Sequence, residues 1–270
     1  MHQTFILRQL LATAIILLMP MTAGAAEIAV TLPPLAGLVT MLDQKAEVTC
    51  LLPAGADPHH FQMSPRKVEA LNHSELLIRA GADDAGWPLL PDHARTLKLW
   101  PRTDHGWLNP SSVRDALPLI AKALIRLQPE RRDAIDIALI HALQQTRDIE
   151  QAWRKALSGL ATDGVLMQHP SWRRLMQHMG IAVLAVLEST HHGHEMGPHK
   201  LEYALSTLNQ HPDAWLLDDA THSNQALDWL ARHAARAPHR VTLDALGSCG
   251  LSWSELMQMN IARIKGRSQP

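Results

Sequence analysis

From Glu27 onward, short β-branched runs alternate with longer stretches whose apolar residues return at helical spacing. Runs of the first kind at 27–32 and 46–52 are closed by Pro33-Pro34 and by Pro53, and they predict strands. Ser64-Pro65 opens a helix to about Asn72, with serine as the cap and proline at the first helical position. Strands are expected again at 76–80, closed by Gly81, and at 96–100, before Pro101. Ser111-Ser112 then caps a helix to about Leu127, and Pro129-Glu130 opens a second. Its apolar positions Ile135, Leu139, Ala142, Leu143, Ile149, Ala152, Trp153 and Leu157 fit one helical stripe. A helix of roughly 28 residues extends about 40 Å, longer than one small lobe, so 129–158 reads as a rigid connector.

Beyond Gly159 the alternation resumes, with strands expected at 164–168, 181–187, 214–217 and 240–243. Helices are expected at 171–179, 198–209, 223–236 and 252–264. Strands alternating with helices imply parallel sheets with crossover connections. The chain has no repeat of solenoid period. The expected fold is α/β, with two parallel-sheet lobes at 27–128 and 159–270 joined by the connecting long helix.

Residues 1–26 stand outside this fold. Arg8 supplies a positive start, 10–21 is an apolar run of signal-peptide length, and Ala23-Gly24-Ala25 offers a cleavage site. The run is too short to span a bilayer and no long apolar segment follows, so the mature protein is expected to be soluble in a bacterial periplasm. A formal net charge of -1 gives no reason to expect nucleic acid or an anionic membrane as partner. The 17 histidines, against one Tyr and two Phe, are the more informative count. Most are expected at the surface, so only position can single out ligands. The compartment permits a disulfide between Cys50 and Cys249, and the other reading is two small buried hydrophobes.

Four residues fall at or just beyond the ends of expected strands: His59, His105, His169 and Asp244. Three imidazoles and a carboxylate make a tetrahedral zinc set, and open α/β sheets bind ligands outside the carboxyl ends of their strands. A metal held between the two lobes is the implication. Each residue also has a bland reading: His59-His60 as a solvated pair, His105 as incidental to a Trp107 turn, His169 as a cap, Asp244 as a turn former. Together these need four coincidences at equivalent places. Asp57, Glu188 and Asp219 are candidates to support the ligands. A later cluster, His191, His192, His194 and His199, reads either as auxiliary metal contacts or as a solvated loop. It lacks the His-Glu-x-x-His helix of a zinc protease.

Four short motifs also carry a resemblance: Pro-x-Gly-Ala-Asp57-Pro-His59-x-Phe, Asp104-His105-x-Trp-Leu-Asn-Pro110, His169-x-x-Trp172 and Leu243-Asp244-x-Leu-Gly247. In this order they resemble the metal-specific solute-binding proteins of bacterial ABC importers, cluster A-I, which includes the zinc-uptake ZnuA-like family. The resemblance implies two α/β lobes with a metal in the interlobe cleft, delivered to an inner-membrane ABC permease. It carries the ligand roles onto His59, His105, His169 and Asp244. Where manganese-type members often have a carboxylate this chain has His169, and three imidazoles favour Zn2+. The expectation is thus a monomeric periplasmic zinc-binding protein, not an enzyme, which receives zinc free or from a periplasmic donor. The alternatives are an extracytoplasmic zinc hydrolase, and a zinc buffer or metallochaperone without a permease. The chain departs from many zinc importers in lacking a long His-rich loop before His105, and Asn109 replaces a common aspartate.

Overall fold

The computed structural model describes residues 26–87, 95–158, 163–188 and 197–267. The first half is built from β1 (Glu27–Val30), α1 (Pro33–Leu42), β2 (Glu47–Cys50), α2 (Pro65–His73), β3 (Leu76–Gly81) and β4 (Thr96–Trp100). Its strands form one parallel sheet in the order β2-β1-β3-β4. Two helices follow, α3 (Pro110–Leu127) and α4 (Arg132–Leu157). The second half contributes β5 (Val165–Met167), α5 (Arg173–His178), β6 (Val183–Val186), α6 (Pro198–Gln210), β7 (Trp215–Asp219), α7 (Gln225–His233), β8 (His239–Leu243) and α8 (Trp253–Arg267). Its sheet, also parallel, has the order β6-β5-β7-β8 and so repeats the topology of the first. The two-lobed α/β architecture with its long helix matches the sequence reading.

Helix α1 was not expected, because Pro33-Pro34 reads as the end of a strand. The same pair occupies the first turn of α1, where no backbone N–H is needed and the fixed φ of proline suits a helix. Leu35, Leu38, Val39 and Leu42 are then buried. A Cβ on Gly37 would lie 2.5 Å from the Trp253 nitrogen, so only glycine lets α8 cross α1 at backbone contact.

One apolar core runs through both halves. It joins Val30 and Ile78 of the first sheet to Val165 and Leu217 of the second, through Ile149 and Trp153 of α4 and Met257 of α8. A smaller cluster on the second sheet unites Leu166 and Leu216 with Leu208, Leu227 and Leu230. Each large apolar side chain so buried contributes roughly 1.5–3 kcal/mol, and a wide swing of the lobes would expose several at once. Helix α4, 26 residues and about 39 Å long, is also tied to both sides. Glu150 forms an ion pair with Arg114 of α3 and lies 2.9 Å from Nε2 of His178 on α5. Burial works against ionisation of Glu150, but its contacts with Arg154, His178 and Arg114 prevail and hold the carboxyl at about 2.

Cys50, the last residue of β2, is disulfide-bonded to Cys249, beyond β8, with 6.1 Å between their Cα atoms. The bridge and the α1–α8 crossing thus fasten the end of the chain to the first sheet.

Candidate metal centre

The chemistry-bearing residues gather where both parallel sheets end. The loop after β2 bends into a single 3-10 turn at Pro58–His60, and Asp57 caps it by accepting the His59 N–H at 2.8 Å. Asp57 thereby orients the first motif. His60 turns away, its side chain 86% exposed.

After β4, His105 has φ 51°, the left-handed region that β-carbon-bearing residues seldom occupy. Among the described residues it is the only non-glycine with positive φ. Its backbone N–H donates to both carboxylate oxygens of Asp83, each at 3.1 Å. The β3–β4 loop that supplies Asp83 is itself fixed by buried Asp84, which accepts from Thr31 at 2.6 Å, from Arg79 and from the Ala80 N–H. Gly106 follows because a Cβ there would strike the Trp100 ring at 2.3 Å. Asn109 caps α3 by accepting the Ser111 N–H, and Trp107 donates to the Ala245 carbonyl at 2.7 Å. Trp253 in turn donates to the Trp107 carbonyl, so the His105 turn and the Asp244 turn are held as a unit. Across the lobes, Arg174 clasps Asp104 through two nitrogens at 3.0 and 2.8 Å, and Arg173 adds a third contact. With His105 and Arg174 against it, Asp104 is held far below the usual carboxylate range despite its burial.

His169 lies just past β5 and is almost wholly buried. Its ring centroid is 5.2 Å from that of His59 and 5.3 Å from that of His105, so three of the four expected ligands converge from both lobes. The fourth ring in the cluster is one that sequence reading missed. His222, stacked on His169 at 3.9 Å, has donor atoms that lie with those of His59 and His169 within 4.8 Å of one another. A signal for it existed: His222 stands three residues past β7, the kind of place that singled out the others. Asp244 engages in its own turn, where Oδ1 accepts the Leu246 and Gly247 N–H groups at 3.0 and 2.7 Å. Its backbone pairs with the Asn260 amide at 2.8 Å in both directions. Among the described residues the ring nitrogens of the cluster lie within 4.0 Å of carboxylates of Asp57, Asp83, Asp104 and Glu188, and no such approach is made by Asp244.

Three of the rings share one arrangement. Nδ1 of His105 is 3.7 Å from Asp83 and 3.8 Å from Asp104, Nδ1 of His169 is 3.5 Å from Glu188, and Nδ1 of His222 is 3.6 Å from Asp57. A carboxylate facing Nδ1 favours the orientation that leaves Nε2 as the donor, the place outer groups take behind metal-binding histidines, although 3.5–3.8 Å is longer than a hydrogen bond. Nε2 of His169 is buried without a hydrogen-bond partner, which is rare and calls for a ligand or other explanation. Imidazoles with carboxylates behind them fit a divalent cation.

Burial lowers His59 to about 4, helped by the neighbouring His169, and Asp57 only partly opposes this. Burial likewise keeps His169 low although Glu188 works the other way. At His222 burial is overcome by Asp57 and Asp219, which raise it. The stability that His59 contributes is therefore complete above its ordinary 6.5 and is lost as pH falls toward 4. The His222 contribution runs oppositely, complete below 6.5 and lost as pH rises through its raised value. In a ring-proton NMR titration of metal-free protein, His59 is expected to stay neutral at pH 5.5 while His222 is protonated at pH 6.5. Two ordinary titrations near 6.5 would contradict this electrostatic picture.

Comparison with known proteins agrees with the fold. Residues 28–266 match the family described as ZnuA, zinc-uptake complex component A, periplasmic. The high-affinity zinc uptake system protein ZnuA of Yersinia pestis is 23% identical over 234 residues, covering 68% of this chain and 73% of that protein. A crystal structure of ZnuA superposes with a TM-score of 0.74 at 20% identity, covering 90% of this chain and 98% of the other. The Pseudomonas aeruginosa solute-binding protein FpvC, solved with Ni2+, gives 0.73 at 19% identity, with 90% and 96% covered. With its paired parallel sheets, its histidines between them and a match over nearly all the described residues, the chain belongs to the ZnuA family of periplasmic metal-binding solute-binding proteins.

Proposed function

We propose that this protein captures Zn2+ in the periplasm and delivers it to an inner-membrane ABC permease, acting as a monomer after removal of residues 1–26. In this reading 27–128 and 159–270 are the two lobes and 129–158 the connector. His59, His105 and His169 are donors to the metal, and the fourth position lies between Asp244 and His222. The convergence of three imidazoles from two lobes, one with a buried and unpaired Nε2, carries the proposal. Capture and release require no catalytic group. The shared core and the disulfide suit a site that changes by small shifts of loops rather than by wide lobe closure.

Imidazole donors favour zinc over manganese, which prefers oxygen ligands. Manganese is therefore expected to bind far more weakly, by roughly 100-fold or more, in a competition titration of metal-free protein. Comparable affinities would defeat the assignment. Zinc-dependent binding to its permease in reconstituted membranes tests delivery, and a chain that binds zinc yet engages no permease is a buffer. Of the later histidine cluster, His191, His192 and His194 lie outside the described residues. His199 has a side chain 98% exposed, with Nδ1 3.7 Å from Glu202 in the first turn of α6. A role for this segment would be in capture or transfer rather than in the main site.

A further inference from the structure

Within the reading of a metal-capturing protein, on which this depends, we infer that His222 is a direct ligand and takes the fourth place in the set, with Asp57 as its positioning residue. The site then presents four imidazoles and selects borderline cations such as Zn2+, Ni2+ and Co2+ over Mn2+ and Mg2+.

Four observations carry it. Donor atoms of His59, His169 and His222 already lie within 4.8 Å of one another, and the His105 ring, its centroid 5.3 Å from that of His169, stands outside that group. In a tetrahedral zinc site with bonds of about 2.0–2.1 Å the donors sit roughly 3.4 Å apart, so shifts of about an ångström draw these three donors together, and His105 completes the set from the first lobe. The Asp219–Asn224 segment is built to hold His222: Asp219 accepts from Thr221 through both N–H and hydroxyl, and the Asn224 amide donates to the carbonyls of Asp219 and His222. A solvated loop histidine needs no such frame, and the His222 side chain is only 8% exposed. Asp57 meets both lobes at once, holding the His59 N–H with one oxygen and facing His222 Nδ1 with the other. The Asp244 turn, by contrast, employs one carboxylate oxygen, Oδ1, for two backbone N–H groups, by itself a sufficient reason for an aspartate there.

Carboxylates thus surround the donors without entering the set. Asp57 and Glu188 stand behind rings and offset the charge of the cation while leaving soft nitrogen at the metal. This separation of charge from coordination would admit zinc at high affinity without a ligand that manganese prefers.

The full mature chain, stripped of metal, tests the inference through Co2+ spectra and zinc competition. His222→Ala and the bulk-preserving His222→Gln are compared with Asp244→Asn, whose amide oxygen can still accept the turn's N–H groups. Both His222 variants are expected to lose more than roughly 100-fold in zinc affinity and to change the visible Co2+ bands. Asp244→Asn should stay within a few-fold with unchanged bands. X-ray absorption of zinc-loaded wild type should count four imidazoles. If His222→Gln, shown folded by near-UV circular dichroism, keeps wild-type affinity and spectrum while Asp244→Asn loses both, His222 is no ligand and Asp244 is. Wild type that takes up neither Zn2+ nor Co2+ would overturn the metal reading itself.

Discussion

His169→Ala is expected to weaken zinc binding by more than roughly 100-fold, and His59→Ala by a similar factor, whereas His60→Ala changes it little. Altering a group that only orients a ligand already costs about 10–100-fold in affinity, and removing the ligand should exceed this. His169 has the most to lose. It is central among the rings, with His59, His105 and His222 all close to it, and its Nε2 is buried and unpaired. His60 differs from His59 by one position, but its side chain is 86% exposed and lies outside the ring cluster that His59 joins. Titration against a chromophoric chelator separates the three variants. If His60→Ala is as damaging as His59→Ala, the first motif has been read in the wrong register.

The elements that could be read from the sequence are those whose pattern repeats locally. Strands such as Leu76–Gly81 and the 26-residue helix after Pro129 were legible because apolar spacing and flanking glycine or proline agree. Helix α1 was not, because Pro33-Pro34 sends two compatible signals, ending a strand and opening a helix. His59, His105 and His169 stood out because each follows a strand inside a turn-rich motif. His222 obeys the same positional rule, but among 17 histidines position without a motif did not distinguish it. The apparatus behind the rings was the least legible part. Asp83 and Asp84, adjacent in a loop, look like any solvated turn until the fold places one on the His105 N–H and the other on Arg79. Arg174 and Asp104 are 70 residues apart, and only the packing of two lobes makes them partners. Local periodicity decides elements, whereas the tuning of a site lies in long-range contacts between polar residues.

The disulfide belongs to the same long-range class, and its removal should separate folding from metal binding. Cys50 and Cys249 are 199 residues apart, so the bridge closes a very long loop in the unfolded chain. Chain-entropy reasoning gives about 5 kcal/mol for such a loop, and measured bridges more often contribute 2–4 kcal/mol. The Cys50→Ser/Cys249→Ser variant is accordingly expected to lose about 2–5 kcal/mol in urea unfolding of metal-free protein. Zinc affinity should nevertheless change by less than tenfold. The junction that the bridge spans is also held by Gly37 against Trp253, by Trp253 on the Trp107 carbonyl and by Trp107 on the Ala245 carbonyl. None of the converging histidines depends on a sulfur atom for its place. A variant with unchanged stability would mean that the unfolded chain already keeps these ends close. If instead affinity falls tenfold or more while the apo-protein remains folded, the bridge sets the position of the His59 loop, and the lobes are less firmly joined by their shared core than Trp153, Trp253 and Met257 suggest.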